Sequence, residues 1–259
     1  MALFTDGLIS TIEELLRYES AILDVAKIEG IDLTTKLKLA EEEIAVELHT
    51  FLARVNYTTQ YGEITTVVPW RPDQIVVTEA LHKWHTFRAL SITYRDAYNR
   101  QLNDRYQGKW QEYDKLAAWA AGALFDSGVG VVYAPVPRAQ KPELTVVAGS
   151  LPAATYYVAV TWEGAAGAEG APSELAAITL PAGKSLSVKP VDPPDGATGW
   201  NVYAGYSGTD SGRQNDSPLG AAQAWVEPAS GLKKGQATGS GQAPDIYLRQ
   251  AVRRIFDRG

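Results

Sequence analysis

Two histidines one helical turn apart are the first residues in this chain whose types and spacing can do chemistry. His82 and His85 stand at i and i+3, with Glu79 three residues before His82. That spacing lets both imidazoles reach one metal ion. No thiolate can complete the set, because the chain has no cysteine. Polar histidines on helix surfaces, His49 among them, account for the pattern better than a metal site. Carboxylate pairs are plentiful, but a glycosidase pair is recognised by its separation in space and not in sequence. Gly128-Val129-Gly130 is a lone Gly-x-Gly with neither a third glycine nor a preceding strand. There is no phosphate loop, dinucleotide fingerprint or Gly-x-Ser-x-Gly elbow. The polar stretch Gly208 to Ser217 carries Asp210 and Asp216 without the spacing of a calcium loop. No catalytic residue, metal or cofactor is expected, and the chain is not expected to be an enzyme.

The second chemical signal is aromatic. Trp84, Tyr94, Tyr98, Tyr106, Trp110, Tyr113 and Trp119 recur at helical spacing. Such rings can stack on bases or sugars, but this spacing makes core or subunit packing the default. Within the run, Asn103 to Trp110 mixes both charge signs with aromatics. Interfaces enrich Tyr, Trp and Arg, so Arg105, Tyr106, Lys109 and Trp110 are candidates for a subunit interface.

The elements that position these residues fall into two kinds. The 259 residues suit one large domain or two ordinary ones, and 45% hydrophobic content is enough for a sizeable core. A first helix is predicted from Gly7 to Gly30, capped by Asp6 and stopped by Gly30. A second, capped by Asp32 or Thr34, carries Leu33, Leu37, Ala40, Ile44, Leu48, Phe51 and Val55 on one face. Glu41, Glu42 and Glu43 are expected on its solvated side. Asn56 to Pro69 is β-branched and ends in proline, which predicts a loop or short hairpin. Asp73 is expected to cap a long aromatic stretch running to Leu124. Two helices meeting near Leu90 to Thr93 are expected there, with Gly108 as a second candidate kink.

Beyond Val129 to Pro137, an exit strand or linker, the pattern changes. Strands are predicted near Glu143–Ala148, Tyr156–Trp162, Ala176–Leu180, Ser185–Lys189, Trp200–Gly205 and Ala222–Val226. Turn clusters separate them, which argues for a two-sheet sandwich. Alternation puts Tyr156, Val158, Val160 and Trp162 on the core face, with Trp200, Val202 and Trp225 as further core residues. Gly231 to Pro244 is rich in Gly, Ser, Ala and Lys and predicts a flexible linker. Asp245 can then cap a short helix with Leu248, Val252, Ile255 and Phe256 on one face. The expected organisation is a helical domain over 1–137, a β-sandwich over 138–231, a linker over 232–244 and a C-terminal arm over 245–259. The fold class is multidomain α plus β: an N-terminal helical bundle, an inserted or appended antiparallel sandwich, and a short C-terminal helix or arm.

The net charge of -6 is acidic overall, and only Ala243 to Gly259 is basic. An acidic balance disfavours sequence-specific nucleic-acid binding, and with it a helical DNA-binding regulator. No apolar run approaches the ~20 residues that cross a bilayer. The N-terminus has no basic and apolar secretory pattern.

The blocks Gly-Ala-Thr-Gly-Trp-Asn-Val-Tyr (196–203) and Glu-Pro-Ala-Ser-Gly-Leu (227–232) resemble the fibronectin-III/immunoglobulin-like modules of tailed-phage virion proteins. The helical layout over Asp6 to Pro137, with the last residues of the chain, resembles the head-to-tail adaptor (connector, or head-completion) proteins of the phage neck. The resemblance implies a structural virion protein, assembled in the host cytoplasm and located between capsid and tail. It implies a self-assembled ring, twelvefold in that family, bound to the portal protein above and to a neck or tail protein below. Packaged DNA would pass through without sequence specificity, repelled if the acids line the lumen. A C-terminal segment of the family reaches the portal, a role that falls here on Ile246, Tyr247, Leu248, Arg249, Arg253, Arg254, Ile255 and Phe256. Docking of this segment on the protein's own helices stays open beside it. So does a second reading of the whole chain, as a capsid-decoration or host- or glycan-adhesion protein acting through the sandwich.

Overall fold

The computed structural model describes residues 1–7, 9–60, 69–101 and 104–249, without the side chains of 57–60, 101 and 166. The fold is mixed α plus β, with helices in the N-terminal half and antiparallel sheets in the C-terminal half. It forms two compact units. One contains 7–131 and 244–259, the other 1–6 and 132–243. The expected boundaries therefore shift. Residues 1–6 and 132–137 belong to the β unit, and so do 232–243.

The helical unit contains α1 (Ile12–Tyr18), α2 (Ile22–Glu29), α3 (Leu33–Gln60), α4 (Glu79–Gln101) and α5 (Gln107–Ser127). The single helix predicted for 7–30 is broken at 19–21. Thr11 and Glu14 form a reciprocal capping box that starts α1, and this box, not Asp6, satisfies the first amides. Asp6 instead accepts from the amides of Leu3 and Arg138 in the β unit. Gly30 ends α2 in the left-handed conformation at φ 62°, as a C-terminal glycine does. Arg100 donates to the freed carbonyl oxygens of Glu29 and Gly30 at 2.7 and 3.2 Å. Asp32 caps α3 through the Thr34 amide and the Thr35 hydroxyl. The predicted stripe from Leu33 to Phe51 is buried, and Val55 is half-buried. Of the three consecutive acids only Glu42 is fully exposed, while Glu43 pairs with Arg88 and Arg95 of α4.

Asp73 lies in a 3-10 turn (Pro72–Gln74) and does not cap α4. Ile75 and Val76 bridge to Val131 and Gly130, and α4 begins after Thr78, whose carbonyl accepts from the His82 amide. The predicted break at 90–93 is absent. Leu90, Ser91, Ile92 and Thr93 are all buried in α4, and the Thr93 hydroxyl bonds back to the Ala89 carbonyl at 2.8 Å. Burial on every side overrides weak helix propensity. Helix α4 is described to Gln101, and a second 3-10 turn at Asp104–Tyr106 precedes α5, close to Gly108. The hairpin or loop predicted over 56–69 lies mostly outside the described residues. Up to Gln60 it is the end of α3.

The unit is closed by β1 (Val129–Val131) pairing antiparallel with β9 (Ile246–Leu248). The chain leaves for the β unit after β1 and returns at β9.

The β unit has a four-stranded sheet ordered β4-β3-β6-β7 and a three-stranded sheet ordered β2-β5-β8. The strands are β2 (Glu143–Leu151), β3 (Ala154–Gly164), β4 (Ala176–Leu180), β5 (Lys184–Lys189), β6 (Ala197–Gly205), β7 (Gly212–Arg213) and β8 (Trp225–Val226). Tyr156, Val158, Val160, Trp162, Trp200 and Val202 of the larger sheet share one buried cluster with Leu186, Val188 and Trp225 of the smaller. This is the core face predicted from alternation. The Trp200 indole N–H is held 3.1 Å from the carbonyls of Gly220 and Gln223, so the buried ring keeps its donor satisfied.

The stretch predicted as a flexible linker is ordered against the sandwich. The Arg213 amide donates to the Gln236 carbonyl at 2.8 Å. Gln214 exchanges two 2.9 Å bonds with the Lys233 backbone. Gln242 bonds Ala134 and Val136. Gly235 passes so close to Arg213 that a Cβ would stand 2.1 Å from the Arg213 carbonyl oxygen. Gly241 is as close to Met1, where a Cβ would stand 2.4 Å from the carbonyl oxygen, so these two glycines of the supposed linker serve close backbone approach.

Candidate interaction sites

Arg105, Tyr106, Lys109 and Trp110 come together at the start of α5, but they face inward more than expected. Two acids at the ends of α1 and α2 receive them. Tyr106 donates to Glu29 Oε1 at 2.7 Å, and Arg105 Nη2 reaches the same oxygen at 3.1 Å. The Arg105 guanidinium also lies over the Tyr106 ring, 4.4 Å from its centroid. Lys109 Nζ is 2.9 Å from Glu19 Oε2, to which Tyr113 donates at 3.1 Å. Tyr94 stacks on Tyr113 with centroids 5.8 Å apart, and Trp110 lies against Tyr98 at 5.9 Å. Tyr106 is only 5% exposed and is a core residue. Arg105 and Lys109 keep exposed surface, and Trp110 is half-buried. The cluster ties α1 and α2 to α4 and α5.

Its electrostatics follow from partial burial. Burial opposes ionisation of Glu19, but the bonds from Lys109 and Tyr113 outweigh it and hold the carboxyl below its ordinary range. The Lys109 ammonium is held up in turn by Glu19. Burial, with Glu19 beside them, pushes the Tyr94 and Tyr113 hydroxyls up. The second oxygen of Glu29 is buried with no hydrogen-bond partner among the described residues.

The C-terminal candidates divide. Ile246, Tyr247 and Leu248 form β9, not the helix expected after Asp245. The Asp245 amide donates to the Val131 carbonyl, which commits the segment to the ladder. Leu248 is 8% exposed and Tyr247 54%, while Ile246 is half-buried, so the tyrosine is the most open side chain of the strand. Arg249 Nε donates to the Ser127 carbonyl at 2.9 Å. Gly128, at φ 106°, lets this crossing happen, since a Cβ there would stand 3.0 Å from both the Leu248 carbonyl oxygen and the Tyr247 side chain. Arg253, Arg254, Ile255 and Phe256 lie outside the described residues.

The histidines do not converge. His82 Nε2 faces Glu14 at 3.1 Å. His85 is fully buried, not on a helix surface, with Nδ1 2.9 Å from Ser10 Oγ and Nε2 3.0 Å from the Leu37 carbonyl. A carbonyl can only accept, so Nε2 carries the proton and Ser10 donates to Nδ1. Burial lowers the His85 pKa to about 4. Ser10 and His85 have the residue types of a nucleophile and its base. Both are sealed from solvent. Among the described residues no cluster of three or more His, Cys, Asp or Glu is placed to hold a metal.

On the outer face of β3 and β6 a polar network centres on Glu169 and Asn201. Glu169 Oε1 accepts from Thr161, from Tyr203 at 2.7 Å and from Asn201 at 3.1 Å. The Asn201 carbonyl oxygen accepts from Arg213 and Asn215. Thr161, Asn201 and Tyr203 are buried, and the network pins the 165–174 loop and β7 to the sheet. In Gly208 to Ser217, Asp216 pairs with Lys233.

The sequence pointed to Arg105 and Lys109 but not to their acids. Glu19 and Glu29 lie more than seventy residues away in the chain, and nothing in a local pattern marks them. No described helix is long and apolar enough to cross a membrane. Comparison with family models, curated proteins and solved structures finds no match for the chain.

Proposed function

We propose that this protein is a structural component of a tailed-phage neck, an adaptor whose helical unit forms a ring that joins the portal protein to the tail or the next neck protein. The observation that carries the reading is the insertion of the sandwich between β1 and β9 of the helical unit. An accessory module placed at such a turn leaves the helical unit to be finished by its own C-terminal strand. Tyr247, exposed on β9, and Arg249 are the described residues available for the portal contact. The acidic balance of the chain supports a channel that passes DNA without holding it. The function is mechanical, with no catalytic step.

Adhesion or capsid decoration through the sandwich is the second reading. It is supported by exposed Tyr206, since an exposed aromatic ring can stack on a sugar. Cryo-electron microscopy of virions or portal complexes separates the two. A ring of this chain between portal and tail supports the adaptor. Density on the capsid surface or the tail tip, or absence from particles, overturns it.

A further inference from the structure

Helix α5 buries Tyr113, Ala117, Ala120 and Leu124 and leaves a second stripe to solvent: Lys115, Ala118, Trp119 and Gly122. Trp119 is 60% exposed, an unusual place for the largest apolar side chain. Beside it Gly122 presents bare backbone, and a Cβ there would meet nothing within 4 Å. Helix α3 has a matching anomaly. On the side away from its core stripe, Leu39, Val46 and Ala53 recur every seven residues, and Leu39 and Val46 are 38% and 67% exposed. Apolar residues at heptad spacing on a solvent face are the signature of a seam between two helices. Glu42 and His49 interleave with them.

We propose that the Trp119 face of α5 docks on the Val46 face of α3 in a second copy of this chain. Charge selects the partner. Lys115 precedes Trp119 by one turn, and Glu42 precedes Val46 by one turn. Neither charge is engaged in an ion pair among the described residues. With the two helices running in the same direction, Trp119 meets Val46, Lys115 meets Glu42, and the notch at Gly122 meets His49. Pairing either face with itself in the same parallel sense would instead set Lys115 against Lys115 or Glu42 against Glu42. The cross-pairing is heterologous, so each copy keeps one free face of each kind and the contact repeats. The inference names a contact for the self-association proposed above and rests on that reading only for closure of the repeat into a ring.

The absence of native cysteine makes the test clean. Gly122→Cys is placed in one preparation of the full chain and His49→Cys in another, both at exposed positions. Disulfide formation under mild oxidation is followed for each alone and for the mixture. In the proposed register the mixed pair comes within disulfide reach, and the mixture cross-links at least about tenfold faster than either variant alone. Adding Lys115→Glu to the Gly122→Cys chain lowers that rate, and Glu42→Lys in its partner restores it. A mixture no faster than the single variants, or a rate indifferent to both charge reversals, overturns the contact. Neither result bears on whether the chain occurs in virions. Its absence from particles would remove the neck reading and leave a measured contact standing.

Discussion

Val131 stands directly opposite Ile246 in the β1–β9 pair, and the whole sandwich lies between them in the chain. The last described residues thus complete the helical unit while also being part of the segment proposed for portal binding. A C-terminal truncation confuses the two roles, and single substitutions separate them. Leu248→Ala removes a buried side chain and is expected to destabilise the protein by about 2 kcal/mol. Tyr247→Ala removes an exposed one and is expected to stay within about 0.5 kcal/mol. Urea unfolding followed by far-ultraviolet circular dichroism measures both. If Tyr247→Ala keeps stability and loses portal affinity, the strand carries both functions.

Tyr106→Phe tests the inward reading of the α5 cluster. The substitution keeps the ring and removes the donor from a buried carboxylate whose other oxygen already lacks a partner. A loss of roughly 1.5–3 kcal/mol is expected, the range for a hydrogen bond to a charged group. A change near zero in chemical denaturation would return Tyr106 to the surface.

His85 gives the helical unit a pH dependence of known sign. Its folded pKa is lowered to about 4 from 6.5, so the unfolded chain binds more protons between those values. Its contribution is complete above the unfolded value and is lost as pH falls from 6.5 toward 4, up to roughly 3 kcal/mol. His85→Gln is less stable at pH 7 but loses less stability over that interval. Denaturation midpoints of the two proteins at pH 7, 6, 5 and 4 provide the comparison, and parallel curves would show that His85 does not titrate as described.

Glu227 acts in the opposite sense in the sandwich. Burial pushes its carboxyl up, against the bond from the Leu186 amide. The folded form holds the proton more tightly, so the favourable contribution is present below the unfolded value near 4.5 and is lost as pH rises through the folded one. Glu227→Gln keeps an acceptor for Leu186 without the charge. It is expected to equal or exceed the parent in stability at pH 7, whereas Glu227→Ala is expected to lose about 1–3 kcal/mol by leaving that amide unpaired. Calorimetry at pH 4.5 and pH 7 distinguishes them.

The sandwich core was legible in the sequence because the large apolar residues of β3 alternate at period two, and Tyr156, Val158, Val160 and Trp162 announce it, whereas burial of Ala159 and Thr161 on the other face was not legible. The stripe of α3 was legible for the same reason at period 3.6. The failures share a cause as well. Ser20 interrupts the first helical pattern without a glycine or proline to mark it. Ile92 and Thr93 look like a helix break, yet burial on all sides holds them in α4. Ile246 to Leu248 suits a helix face or a strand equally, and a partner strand far back in the chain decides. The acids that meet Arg105 and Lys109 were invisible because long-range pairing leaves no periodic trace. Exposed Trp119 sat in the same aromatic series as buried Tyr113, and spacing alone did not separate the one from the other.

The β1–β9 register also bears on how such a chain changes over generations. Val131 and Ile246 are the pair at the open end of the ladder, so the sandwich occupies the place of a hairpin turn. Lengthening a closed loop adds little entropy, about 0.6 kcal/mol per doubling, and exposed turns accept whole inserted domains. A shortened chain beginning at Gly7, with 132–243 replaced by Asn-Gly so that Asn-Gly-Pro244-Asp245 makes a four-residue turn, keeps every strand partner of the helical unit. The first six residues would go too, since Asp6 and its neighbours pack with the module. Removing the module is then two cuts, one at the β1–β9 turn and one before Gly7, and both leave the helical unit's own segments untouched.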